Sequence, residues 1–170
     1  MKRLALAAAL LGGTALSLAT LANKPADAAV ATSTFQVQAQ VVNTCSISAT
    51  NMSFGVYNQN TSSQATSTIT VNCTLGVPAV ITLDQGLNDI FGSASAPSRR
   101  MKNSATNAWL SYNLFTDSGR SSLWGNTPAT GQSYTGTGQN TALNVYGLLP
   151  AGQNVLAGTY FDTVTAVITY

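Results

Sequence analysis

The residues able to do chemistry are few. The chain of 170 residues contains no histidine, and its five acidic side chains are all aspartates. Past residue 28, Asp84, Asp89, Asp117 and Asp162 stand against Arg99, Arg100, Lys102 and Arg120. Histidine-based triads, histidine-containing zinc sites and glutamate general acids are therefore excluded from this part of the chain. Four scattered aspartates meet as a carboxylate pair only by tertiary accident, and no Gly-x-Ser-x-Gly elbow is present. Gly136 to Thr141 (GTGQNT) lacks the third glycine of a dinucleotide fingerprint and reads as a flexible turn. Asp84 to Asp89 (DQGLND) has the oxygen ligands a hard cation needs, yet Asp, Asn and Gly also make turns, which is the expectation here. Arg99, Arg100 and Lys102 form the one basic cluster, suited to an anionic partner or equally to a solvated strand end. Trp109, Tyr112, Phe115 and Trp124 suit sugar stacking or a core, and their strand-like positions favour the core. No enzymatic activity, metal or cofactor is expected.

Cys45 and Cys73 are the only cysteines. Their spacing is far from Cys-x-x-Cys, and with no histidine to activate a thiol a structural disulfide is expected, formed in an oxidising compartment. Closing a loop of that length contributes roughly 3–4 kcal/mol in the chain-entropy treatment.

The start of the chain agrees with export. Met1-Lys2-Arg3 is basic, Leu4 to Ala22 is an Ala/Leu-rich apolar run, and Ala26-Asp27-Ala28 offers small residues to a signal peptidase. Residues 1–28 read as a secretory signal peptide. A transmembrane anchor is the rival, disfavoured by the cleavage-like site and by the absence of a positive cluster on the far side. The net charge of +2 belongs to this leader and its flank. Residues 29–170 balance to zero, so no nucleic-acid partner is implied. They make one domain's worth of chain, enough to bury a sizeable core, and so few charges resist self-association poorly.

The elements that must position these residues are strands. No helical period is sustained, and short β-type runs alternate with Gly, Asn, Ser, Thr and Pro clusters, the pattern of an all-β sandwich or barrel. The spacing predicts strands at Thr34 to Val42, Thr68 to Cys73, Ala79 to Leu83, Arg99 to Lys102, Trp109 to Phe115, Ser133 to Thr135 and Thr141 to Leu148. Asn51 to Tyr57 is a short strand or a turn around Gly55, and Asn58 to Ser67 a polar loop. The strongest signal is the last. From Tyr160 to Tyr170 the even positions are Tyr, Asp, Val, Ala, Ile and Tyr, one mostly apolar face of a long strand with no later segment to cover it. Such a strand needs an edge partner. Phe35, Val37, Ala39 and Val41 form an equally clean apolar face, with Gln opposite. A membrane β-barrel would need many more alternating segments than these.

Several ordered motifs then resemble one family. Val41-Val42-Asn43-Thr44-Cys45, Phe54-Gly55, Trp109 to Asp117 (WLSYNLFTD), Leu123-Trp124-Gly125, Val145-Tyr146-Gly147 with Leu149-Pro150, Gly158 to Val164 (GTYFDTV) and Ile168-Thr169-Tyr170 are similar to the spore coat protein U domain family. That family includes pilin subunits of archaic (Csu-type) chaperone–usher pili. The resemblance spans essentially all of residues 29–170; Asn58 to Ser67 and Thr127 to Asn140 carry no signature.

The resemblance implies an immunoglobulin-like β-sandwich lacking its final (G) strand. Its groove is filled first by a periplasmic chaperone and then by the N-terminal strand of the next subunit. On that reading residues 29–42 are a donor-strand segment, partly continuous with the first strand, and residues 43–170 the incomplete domain. Phe35, Val37, Ala39 and Val41 would plug a neighbour's groove, lined in part by Tyr160, Val164, Ala166, Ile168 and Tyr170. The implied partners are identical or related pilin subunits, the chaperone and an outer-membrane usher. The implied place is the cell surface, reached through the periplasm, and the implied role is attachment and biofilm formation. A minor or tip-proximal subunit, an adhesive binding module and a spore coat component are the alternatives.

Overall fold

The computed structural model describes residues 27–170. The signal-peptide reading falls almost entirely outside them. Residues 27–39 belong to a unit separate from the rest, with no hydrogen-bonded element and every residue exposed. The remainder, residues 40–170, is a second unit made of strands and turns, with no helix among the described residues.

Alternation builds its centre. β1 (Cys45–Ala49), β2 (Ser63–Cys73), β8 (Thr141–Leu149) and β6 (Asn113–Phe115) make an antiparallel sheet in the order β1-β2-β8-β6. Along β2 every second residue from Ser67 is buried: Ser67, Ile69, Val71 and Cys73. Facing positions on β8 bury Val145 and Leu149. A second sheet, in the order β10-β3-β7, joins β10 (Ala166–Thr169), β3 (Pro78–Leu83) and β7 (Gln132–Thr135). A third, in the order β5-β4-β9, joins β5 (Trp109–Ser111), β4 (Arg100–Asn103) and β9 (Tyr160–Phe161). The core draws on all three, with Ile69 and Val145 from the first, Ile81 and Tyr134 from the second and Leu110 from the third. Trp124 is fully buried, and its indole N–H donates to the Ile81 carbonyl at 2.9 Å. A disulfide joins Cys45 to Cys73, which are register partners across β1 and β2.

Several expectations are corrected. Thr34 to Val42 is not a strand; the first one begins at Cys45. Half of the expected polar loop is strand, because β2 starts at Ser63 and pairs with β8 along nine register positions. Its Ser and Thr residues face outward or find partners, as Ser67 does in donating to the Thr50 carbonyl. Trp109 to Phe115 is two strands in different sheets. Tyr112 donates its backbone N–H to the Arg99 carbonyl at 3.0 Å, and there the chain changes from β4 to β8 as its partner.

The terminal strand is also interrupted. Its alternation of half-buried even and exposed odd residues holds from Tyr160 to Thr169. Its ladder does not, since β9 pairs with β4 and β10 with β3. Between them the turn after β3 clips on: Asp84 N–H donates to the Thr165 carbonyl, Thr165 N–H to Asp84 Oδ1, and Leu87 N–H to the Thr163 carbonyl. The sharp bend that permits this sits at Gly86, with φ of 77°, where a Cβ would strike the Asp162 carboxylate.

Candidate functional site: a cleft between two open sheet edges

β1 is the edge of the first sheet and β10 the edge of the second. The two strands approach each other but share no ladder. Where they diverge a cleft of about 1290 Å³ opens. One wall is Ala49 to Gln59; the other is Gln153 and Val155 to Val164, ending at Ala166. Core residues Ile69, Leu83, Leu110, Leu114, Val145 and Leu149 line it as well, so the cleft reaches the interior.

Both walls are held by their ends. Thr50 N–H donates to the Thr68 carbonyl, and the Gln59 carbonyl accepts from Gly152 N–H at 2.7 Å. Between these points Met52, Phe54 and Tyr57 turn toward the core while Val56 is 96% exposed. Phe54 lies 6.1 Å from the Tyr112 ring, and Tyr57 bonds to the Pro150 carbonyl and to Gln153 N–H. Among the described residues, the backbone of residues 51–57 and of 154–159 makes no backbone hydrogen bond. Exposed backbone of this kind is what a further strand would pair with.

One polar network sits in the lining. Tyr112 O–H donates to Asp162 Oδ2 at 2.7 Å, while Asp162 Oδ1 accepts from Leu87 N–H and the Asn88 amide. Burial, and next the bond to Asp162, push the Tyr112 hydroxyl above its ordinary range, so it is a donor and not a base. Arg99 is buried, against the expectation of a solvated strand end; its guanidinium donates to the carbonyls of Leu83, Asp84 and Trp124. Burial lowers its pKa, opposed by Tyr112 and by the carboxylates of Asp84, Asp162 and Asp89. In the Asp84 to Asp89 cluster, Asp84 accepts from Gly86 and Thr165 N–H, and Asp89 from Gly92 and Ser98 N–H. All but the Thr165 bond, which ties the turn to the terminal segment, are local to the loop. No cluster with metal-ligand composition occurs among the described residues.

Of the residues singled out as a groove, Tyr160, Val164 and Ala166 line the cleft. Ile168 lies beyond its end and packs on the core, and Tyr170 is 58% exposed beside Pro78 and Tyr134 in a separate shallow depression. Phe35, Val37 and Val41 are 87%, 85% and 83% exposed, and Ala39 is exposed too. Sequence reasoning missed the Met52/Phe54 wall and Val155. The even-numbered pattern Met52, Phe54 was a signal, but too short to separate from a turn.

Comparison with known proteins agrees with this architecture. The Spore Coat Protein U domain matches residues 31–167. Protein U of Myxococcus xanthus is 43% identical over 162 residues, covering 88% of this chain and 90% of its own. A chain in the crystal structure of the CsuC–CsuE chaperone–tip adhesion subunit pre-assembly complex, from archaic chaperone-usher Csu pili of Acinetobacter baumannii, superposes with a TM-score of 0.56 at 24% identity. The match covers 76% of this chain but only 40% of that one, and the likeness is one of fold.

Proposed function

We propose, from the premise that this chain belongs to the spore coat protein U domain family, that it is a structural subunit of a chaperone–usher pilus, polymerised by donor-strand exchange. The observation that carries this reading is the pair of open edges on β1 and β10, with a cleft between them that reaches the apolar core. On this reading the fold is an immunoglobulin-like sandwich lacking its final strand, and residues 29–42, once the leader is removed, are the strand that completes a neighbour. Phe35, Val37, Ala39 and Val41 then enter the next subunit's cleft, against Tyr160, Val164 and Ala166. Burial contributes about 1.5–3 kcal/mol for each of the larger side chains. Three large apolar side chains in a row left in water are an unfavourable surface for a lone chain. A periplasmic chaperone holds the cleft until an outer-membrane usher delivers the next copy, and the fibre serves attachment and biofilm formation. No catalytic step is required of any residue.

A second reading, a coat component on a spore surface, is favoured by the family's name.

The test is the size distribution of the exported protein, boiled and unboiled, for the intact chain and for a deletion of residues 34–41. A heat-dissociable ladder that collapses to single copies in the deletion is the expected result. A self-sufficient monomer from the intact chain would overturn it. A ladder found only on spores would favour the coat reading.

A further inference from the structure

A second surface, on the outer face of the β5-β4-β9 sheet and meeting the cleft wall at Phe161, goes beyond that reading and does not depend on it. On β5, β4 and β9, Trp109, Lys102 and Phe161 are register partners. Partners across a ladder share a face, so an aromatic–cation–aromatic row crosses this small sheet. Arg100, two residues before Lys102, is on the same face. Its guanidinium lies 4.2 Å from the centre of the Trp109 ring, and Lys102 Nζ lies 5.3 Å from it. The opposite face is occupied, since Met101, Leu110 and Tyr160 pack on the core. Trp109, expected in the core, is instead half-buried on the outer face, and Phe161 is 66% exposed.

The charges there are not neutralised by a carboxylate. Arg100 donates from Nε and Nη2 to the Asn88 carbonyl, and among the described residues neither it nor Lys102 bonds to a carboxylate. Arg99 is buried and Arg120 is tied to the carbonyls of Gly147 and Ser118. Two of the three part-exposed cations of a domain without net charge are thus gathered beside two aromatic rings, the third being Arg120 near Tyr146. We propose that this face binds an acidic polysaccharide. The exposed Phe161 ring takes the flat apolar face of a sugar, and the two cations, held over the Trp109 ring, take carboxylates, for which the planar guanidinium is well matched. The disulfide belongs to an oxidising compartment, where acidic glycans are met more than nucleic acids.

The test titrates the exported protein, in whatever assembly it is recovered, with polygalacturonate, and with neutral dextran, single-stranded DNA and phosphatidylglycerol vesicles as controls. The chain has two tryptophans and Trp124 is fully buried, so a change in emission on binding reports Trp109. The expected result is a saturable change with polygalacturonate alone, weakened by salt. Half-saturation should rise about tenfold in Arg100→Gln/Lys102→Gln and severalfold in Lys102→Gln, the second variant in case the first folds poorly. Unchanged binding in Lys102→Gln, an equal response to dextran, or a stronger response to DNA or vesicles would overturn the proposal. The boiled and unboiled ladder, measured on the same samples, reports assembly separately from glycan binding.

Discussion

Asp162 is the one polar residue on the inward face of the terminal segment, and its position is explained by what surrounds it. Tyr112, Leu87 and Asn88 supply three donors to its carboxylate. A carboxylate at an apolar position is costly without such partners. Tyr112→Phe keeps the ring against Phe54 and removes one donor. It should cost about 1.5–3 kcal/mol in urea unfolding, the usual range for a hydrogen bond to a charged group. The pH dependence has a definite sign. The folded-state pKa of Tyr112 lies above its unfolded value of about 10. Its contribution is therefore complete below about pH 10 and is lost as pH rises further, because the unfolded chain gives up the proton first. The wild type should weaken between about pH 9 and 11 more steeply than Tyr112→Phe. Parallel slopes for the two would show that this hydroxyl carries no such share.

Among the elements, β8 shapes the cleft through a missing side chain. Gly147 sits between Ala65 on β2 and Leu114 on β6, and a Cβ there would run into the Met52 sulfur and the Phe54 ring. Gly147→Val, a good strand residue in isolation, should push the wall of residues 51–57 outward. The expected loss is about 1–3 kcal/mol from overpacking, with faster proteolytic nicking within residues 51–57; an unchanged digestion pattern would refute the idea that Met52 and Phe54 hold that wall. Legibility follows the same division between local and distant causes. The period of two in the terminal segment was plain in the sequence because each side chain's burial follows from its own parity. Thr68 to Cys73, β3 and β8 were legible as strand-type runs, whereas Ser63 to Ser67 read as loop. Where a strand changes partner was not plain. The break at Tyr112 depends on the Arg99 carbonyl, and the gap between β9 and β10 on a turn at Asp84 some eighty residues earlier in the chain. Arg99 and Arg100 look equivalent as letters, yet one is buried and bonded to three carbonyls and the other lies over the Trp109 ring, 4.2 Å from its centre.

For the whole molecule, the question is whether the cleft reads a register or only attracts apolar surface. The chain just before β1 is held in line with it: Thr74 N–H donates to the Thr44 carbonyl, Thr44 N–H to Thr74 Oγ1, and Thr74 O–H to the Val42 carbonyl. Residues 42–44 are therefore fixed beside Thr74, just ahead of the disulfide. A synthetic peptide of residues 34–42, added to the chain lacking residues 29–41, isolates the donor strand. Strand parity makes a one-residue shift exchange every inward residue for an outward one. The natural peptide should raise the stability of the truncated chain by about 2.7 kcal/mol at a hundredfold excess over its dissociation constant. A peptide with Gln placed at positions 35, 37, 39 and 41 and the apolar residues moved to the even positions should do far less at the same concentration. If both peptides stabilise equally, the cleft is merely adhesive to apolar chains, and subunit order in a fibre must be set by something other than Phe35, Val37, Ala39 and Val41.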